Sequence, residues 1–157
     1  MANRKLGKYD IIERLGRGGM AEVFRAYHPN LERQVAIKVL HAFLAADPEF
    51  KSRFEREAQN VGRLKHPNIV QVYDFDYDTE GESYYMVMEL VEGLTLKDRL
   101  TKLGDQGQLL PISEALKIVR EAAGALAYAH SRSMIHRDVK PANLMLDHDS
   151  RVVLTDF

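Results

Sequence analysis

His136-Arg137-Asp138-Val139-Lys140-Pro141-Ala142-Asn143, followed by Thr155-Asp156-Phe157, is the part of the chain on which its reading turns. Six of the eight residues in the first stretch are polar or punctuating. The stretch lies between a helical and a strand-like pattern, in a loop, where functional groups are commonly displayed. Asp and Asn supply hard oxygen donors, which suit Mg²⁺ and not zinc. Beyond it, Leu144-Met145-Leu146 and Arg151-Val152-Val153-Leu154 read as brief strands joined by the turn Asp147-His148-Asp149-Ser150. Before it, Ser113 reads as the cap of a long Ala-rich helix to about His130, with Leu116, Val119, Ala123 and Leu126 on one side. That stripe has only a loop and a two-stranded hairpin to meet. A lone hairpin is marginal in water, so this second part is expected to be loosely fixed.

Further upstream the period changes. Residues 9–15, 22–27 and 34–40 read as strands, the middle one alternating polar with apolar or aromatic residues. A helix follows over 47–65. Asp47 suits its N-cap, Pro48 its first position and Glu49 the positive end of the dipole. Phe50, Phe54, Ala58, Val61 and Leu64 form its apolar stripe. Residues 69–77 and 84–89 read as two more strands, joined by the loop 78–82. Gly93 breaks the pattern. Thr95 and Asp98 stand at capping-box spacing at the start of a helix to Leu103, and 104–111 is a polar loop. The first part is thus five strands and one helix, with a boundary near Glu92-Gly93.

Two features in the first part carry chemistry. Gly16-Arg17-Gly18-Gly19-Met20-Ala21 joins two strands. Glycines let backbone N–H groups approach phosphate oxygens with no Cβ in the way. On residues alone a plain glycine hairpin is an equal reading. A dinucleotide fold needs a helix directly after the glycines, and a Walker A loop needs Gly-Lys-Ser/Thr; neither is present. Val35-Ala36-Ile37-Lys38 sets a Lys in an apolar strand, and a buried ammonium needs a partner. Glu57, on the polar edge of the covering helix, is the candidate. Alternation puts Lys38 with Ala36 on one face and Ile37 with Val39 on the other, which leaves the buried face open.

Composition excludes several classes. Of 157 residues 45% are hydrophobic and 29% charged, an ordinary globular balance. A net charge of -1 argues against nucleic-acid binding through bulk charge. The absence of cysteine removes disulfide scaffolds, thiolate zinc sites and cysteine nucleophiles. No apolar run is long enough for a membrane span. No apolar core follows the basic start Met1-Ala2-Asn3-Arg4-Lys5-Leu6-Gly7-Lys8, so it is not a secretory signal. The default expectation is a cytoplasmic protein. The histidines at 28, 41, 66, 130 and 148 lack ligand spacing and read as surface or loop residues.

Taken together, the motifs resemble those of the protein kinases: a Gly-rich loop followed by Val, a Val-Ala-Ile-Lys strand, His-Arg-Asp with Asn five residues on, and Asp-Phe. Lys140-Pro141-Ala142-Asn143 resembles the Ser/Thr class. Gly19-Met20-Ala21-Glu22-Val23 and Glu55-Arg56-Glu57-Ala58 are most similar to the bacterial eukaryotic-like kinases. The resemblance implies an α+β fold. Its N-lobe with hinge, 9–92, holds a five-stranded antiparallel sheet and one helix, and 93–157 is an incomplete, mainly helical C-lobe. It implies ATP and Mg²⁺ as cofactors and a protein with a Ser or Thr acceptor as partner. Gly16, Gly18 and Gly19 would close over the phosphates. Ala21 replaces the third glycine. Lys38 would hold the α- and β-phosphates, oriented by an ion pair with Glu57. Asp138 would accept or orient the acceptor proton, Lys140 would neutralise the transferring group, and Asn143 and Asp156 would bind Mg²⁺. Leu15, Val23, Ala36 and Met145 would sandwich adenine. The Glu89 carbonyl and the Val91 N–H and C=O would face its edge, with Met88 as gatekeeper. His136 is implied to pack and not to act as a base.

The chain stops before the glycine that completes Asp-Phe-Gly in the family. The expectation is therefore a Ser/Thr kinase in its complete form. The alternative is a non-catalytic ATP-binding or regulatory fragment, inactive as this chain.

Overall fold

Alternating side chains build the first sheet from both faces. The computed structural model describes residues 4–157; Met1-Ala2-Asn3 of the basic start lie outside the described residues. The sheet contains β1 (Lys5–Leu6), β2 (Tyr9–Arg17), β3 (Ala21–His28), β4 (Arg33–Leu40), β5 (Val72–Asp78) and β6 (Ser83–Met88). Its order is β1-β2-β3-β4-β6-β5, with every pair antiparallel. The sheet thus has six strands where five were expected. The addition, β1, is two residues long and pairs back onto Tyr9 and Asp10, too short for a period to register.

Cross-strand neighbours share a face. Phe24, Ile37 and Val87 form one row, and Val23, Lys38 and Met86 form another on the opposite face. The first face closes a core of Tyr9, Ala26, Val35, Ile37, Tyr85 and Val87. The second is covered at one end by α2 (Pro48–Gly62), whose Phe50 and Phe54 pack with Phe75 on Ala21, Leu40 and Tyr84. The turn of helix before it is α1 (Ala42–Ala45). α2 starts as its sequence requires: Asp47 accepts from the N–H groups of Glu49 (2.9 Å) and Phe50 (3.5 Å), and Pro48 follows. It ends at Gly62, short of the expected Lys65.

The chain divides into two compact units. The first runs up to Arg63 and takes in Gln71–Leu90; the second comprises Leu64–Val70 and Val91–Phe157. Ile69 and Val70 were expected to begin a strand of the first sheet. Instead the Val70 N–H donates to the Leu154 carbonyl (3.0 Å), and the Leu154 N–H donates to the Asn68 carbonyl (2.8 Å).

The second unit holds β7 (Gly93–Thr95), β8 (Leu144–Asp147), β9 (Val152–Leu154), α3 (Leu96–Asp105) and α4 (Ile112–His130). The hairpin is therefore a three-stranded sheet in the order β7-β8-β9. Gly93 is the reason β7 can join: a Cβ there would lie 1.9 Å from the Leu146 carbonyl oxygen and 2.8 Å from the Asp147 Cα. α3 opens on the expected capping box of Thr95 and Asp98.

Two expectations for α4 are corrected. Pro111, not Ser113, precedes its first turn, and Ser113 lies inside the helix. The buried stripe is Ile118, Ala122, Ala125 and Ala129, packed with Leu64, Ile69, Leu96, Leu144, Val152 and Leu154. Leu116 and Val119 lie on the other side, each 65% exposed. The helix is apolar on both sides, and its small alanines allow the close approach that long side chains would block. Among the described residues, no helix is long and apolar enough to cross a membrane.

Candidate active site

In the first unit, β2 and β3 position the glycine turn. The Gly18 N–H donates to the Ala21 carbonyl at 2.8 Å, which tightens residues 18–21. A Cβ on Gly16 or Gly19 would meet nothing within 4 Å, and one on Gly18 only the Ala21 oxygen at 3.6 Å. None of the three has a positive φ. Neither internal packing nor backbone conformation therefore demands these glycines. A bare, open main chain is a cradle that side chains would fill, and it fits a phosphate group.

β3 and β4 set Val23 opposite Lys38, and Ala36 lies opposite Met88 of β6. This resolves the open question of faces. Ile37 points into the core with Val35 and Val87, while Lys38 shares its face with Val23, half-buried beyond the part that α2 covers. Leu15 is 45% exposed and Ala36 is buried. Glu57 stands on α2 with an exposed side chain and makes no hydrogen bond or ion pair among the described residues. The expected Lys38–Glu57 ion pair is not formed. The packing of α2 accounts for this: Phe54 lies 5.0 Å from the Phe75 ring and 6.3 Å from Tyr84, and Lys51 hydrogen-bonds the Tyr84 hydroxyl, which raises the ammonium's pKa. Lys51 and Glu57 flank Phe54 on opposite edges of the helix, so engaging one edge turns the other outward.

Met88 ends β6, and the Glu89 N–H donates to the Gln71 carbonyl at 2.8 Å. Val91, after the strand, makes no hydrogen bond among the described residues, which leaves its N–H and C=O available to a planar ligand edge.

In the second unit the polar loop is tightly organised. Lys140 Nζ donates to Asp138 Oδ2 at 2.7 Å. Asn143 Nδ2 donates to the Asp138 carbonyl (2.8 Å) and to Asp138 Oδ2 (3.1 Å). The Lys140 hydrogen bond, with smaller help from Asn143, holds the exposed Asp138 carboxyl below its ordinary pKa. Asp138 is thus an anion at neutral pH, better suited to orienting a hydroxyl than to competing strongly for its proton. The Asp138 N–H donates to His136 Nδ1 (3.2 Å), so the other ring nitrogen carries the hydrogen and donates to the Thr155 carbonyl (2.6 Å). Both nitrogens are occupied, and the buried ring meets Phe157 edge-on at 4.6 Å. His136 is therefore a strut and not a base.

Asn143 is buried, and its amide nitrogen is spent on Asp138. Its carbonyl oxygen is left as a hard donor. The Thr155 N–H donates to the Asn143 main-chain oxygen at 2.9 Å, which ties Asn143 to the strand that leads into Asp156. Asp156 has an exposed side chain and a left-handed backbone, φ 61. One amide oxygen and one carboxylate fit Mg²⁺, which keeps several waters and takes few protein ligands. No cluster of three or more acidic or imidazole groups suited to a metal occurs among the described residues. Met145 lies on β8, opposite Thr95 and Val153, half-buried.

Sequence reasoning passed over two residues. His41 lies 3.1 Å from the Gly18 carbonyl oxygen through Nε2. Glu121 accepts from Lys117 Nζ (2.9 Å), Asn68 Nδ2 (3.1 Å) and the Val152 N–H (2.9 Å). His28, read as a surface residue, is buried against Tyr9. Asn68 two residues after His66, before an apolar run, was the only local hint of the Glu121 junction.

An antiparallel sheet covered at one end of one face by a helix thus carries a bare glycine turn and a Lys, and an Asp–Lys–Asn loop lies elsewhere in the chain. Residues 9–157 match the family model described as protein kinase domain, and the chain belongs to that family. It is 45% identical to the serine/threonine-protein kinase PrkC of Bacillus subtilis over 157 residues, which is all of this chain and 23% of that protein. It is 46% identical to the serine/threonine-protein kinase PknB of Mycobacterium leprae over 152 residues, 96% of this chain and 24% of that one. The chain therefore spans about a quarter of the length of these relatives. Among solved structures, the Mycobacterium tuberculosis PknI kinase domain superposes with a TM-score of 0.86 at 37% identity, covering all of this chain and 62% of that one. The fold is that of the protein kinases, of bacterial type.

Proposed function

We propose that the protein transfers the γ-phosphoryl group of ATP to Ser or Thr hydroxyls of protein substrates, with Mg²⁺ as cofactor. The observation that carries this reading is the Asn143 amide, which donates to Asp138 and so turns its oxygen free beside an anionic carboxylate. In the first unit, Gly16, Gly18 and Gly19 give phosphate oxygens access to the main chain, and Lys38 supplies the charge for the α- and β-phosphates. Leu15, Val23 and Ala36 offer apolar contact to the base, with Glu89 at the adenine edge. In the second unit, the kinase resemblance assigns Val91 and Met145 to the base, and Asn143 and Asp156 to the metal. Bound Mg²⁺ neutralises phosphate charge. Asp138 accepts a hydrogen bond from the attacking hydroxyl and takes its proton late, when transfer has made that oxygen acidic. Lys140 stabilises charge on the transferring group while keeping Asp138 ionised. Catalysis of this kind rests on position and preorganised charge.

One observation favours a second reading, nucleotide binding without transfer: Glu57 has no ion pair among the described residues. Both readings are tested together. Mg-ATP should raise the melting temperature, by the equivalent of about 2.7 kcal/mol at a hundred times Kd. EDTA, or Asn143→Ala with Asp156→Ala, should remove most of the gain. Labelled phosphate should appear on Ser or Thr of a protein acceptor. Binding without labelling in the whole protein supports the second reading, and no shift in a folded sample removes both.

A further inference from the structure

His41 belongs to none of the motifs above, yet it hydrogen-bonds the glycine turn through both its main chain and its ring. It directly follows β4. Its own N–H donates to the Met20 carbonyl (3.0 Å), and its ring Nε2 lies 3.1 Å from the Gly18 carbonyl oxygen. A carbonyl only accepts, so Nε2 carries the hydrogen. The ring is stacked on Phe43 at 5.8 Å with an interplanar angle of 19°.

The consequence follows from the planar trans peptide, in which the C=O and the next N–H point in opposite directions. Holding the Gly18 oxygen toward His41 aims the Gly19 N–H away from it. That N–H donates to nothing among the described residues, and no side chain of its own or of a neighbour stands near the Gly19 Cβ position. Without the latch, the Gly18–Gly19 peptide, flanked by glycine on both sides, turns over easily. A flipped peptide would present a carbonyl oxygen where an anion needs a donor.

We propose that His41 is a positioning residue: by fixing the Gly18–Gly19 peptide plane it orients the Gly19 N–H as a donor to a phosphate oxygen of the nucleotide. The inference rests on the nucleotide-binding reading above. It assigns His41 no chemistry of its own.

The test compares wild type, His41→Ala and His41→Gln, in which the Gln side-chain amide supplies a donor at the reach of Nε2. Titration calorimetry with Mg-ATP and with adenosine separates the phosphates from the base. His41→Ala should weaken Mg-ATP about 3- to 10-fold, the scale of one hydrogen bond. Adenosine affinity should stay within about 2-fold, since the variant leaves the base contacts alone. His41→Gln should bind Mg-ATP like wild type. Equal losses for both ligands would mean a general structural role, and an unchanged Mg-ATP affinity or a Gln variant behaving as the Ala variant would overturn the latch. In the ligand-free chain, the Gly19 amide resonance should move in His41→Ala and not in His41→Gln. That readout holds even if wild type binds neither ligand, the outcome that removes the nucleotide reading itself; an unmoved Gly19 resonance removes the latch independently.

Discussion

Asp138 is held ionised by the residue two places along, and this sets its pH behaviour. Lys140 first, then Asn143, lowers its pKa. On the proposed function, its protonation should therefore limit the rate only at pH values below the ordinary carboxylate range of about 4. Transfer by the whole protein should show no acid limb from Asp138 above about pH 5. Removing Lys140 lets the Asp138 pKa rise, so Lys140→Ala should shift the acid limb upward as well as lower the rate; a pH–rate profile checks both. Asp138→Asn should cut transfer by about 10²- to 10⁴-fold while Mg-ATP affinity changes little, since it removes a proton acceptor and not a phosphate contact. Wild-type transfer in that variant would show the role to be misassigned. This loop was legible in the sequence because Asp138, Lys140 and Asn143 lie close together in the chain and bond to one another. Glu57 was legible as a residue but not as a contact. Its direction depends on how Phe54 and Lys51 seat α2, which no local pattern encodes. His41 was invisible, because its partner is a main-chain carbonyl across a loop.

α4 shows what periodicity can and cannot decide. Its apolar residues recur on two sides, Leu116 and Val119 on one, Ile118, Ala122, Ala125 and Ala129 on the other. Size favours the first stripe, yet the second is the buried one, because alanines let α4 approach β9 and Leu64 closely. Ile118→Ala should therefore cost about 2–5 kcal/mol, whereas Val119→Ala should stay within about 0.5 kcal/mol. Urea unfolding distinguishes these, and a reversed order would put the wrong face inside. β7 went unread for a related reason. Gly93 looked like a break, but its missing Cβ is what admits the strand against Leu146 and Asp147. Both obstacles are main-chain atoms, so they cannot swing aside. Gly93→Ala should unpair β7 from β8 and destabilise the second unit by about 1–3 kcal/mol or more. α2 and α3, by contrast, were readable at their starts, since Asp47 and Thr95 bond within their own first turns.

Across the whole molecule, each unit closes a core of its own, and in the second the closure passes through one carboxylate. Burial alone would raise the Glu121 pKa, but Lys117, the Val152 N–H and nearby positive charge outweigh it, and the net shift is downward. Asp147 behaves alike: burial is opposed by Arg151 and by the N–H groups of Arg151 and Asp149, and its pKa too is lowered. A folded pKa below the unfolded one means stabilisation that is fully present above the unfolded value. It is lost as pH falls through the folded value. Glu121→Gln should thus lower the urea midpoint by a constant amount near neutrality, with the gap closing below about pH 4. A gap that persisted in acid would mean that the ionised form of Glu121 is not what matters. The same junction bears on how firmly the second unit is held. Its sequence promised an apolar stripe with little to meet. In the structure Glu121 joins α4 to Asn68 and Val152, Asn68 also donates to the Val152 carbonyl at 2.8 Å, and ten buried residues close around them. Amides of Ala122, Ala125, Val153 and Leu154 should then exchange as slowly as those of Ile37 and Val87 in the first sheet, to within about tenfold, the equivalent of about 1.4 kcal/mol. Glu121→Ala should speed exchange at Val152 and Leu154 first, because it frees the Val152 N–H and removes one anchor of Asn68, while Ile37 and Val87 stay protected. Fast exchange throughout 113–157 in the wild-type chain would sink this, and would mean that the small alanine-lined core does not hold without further cover.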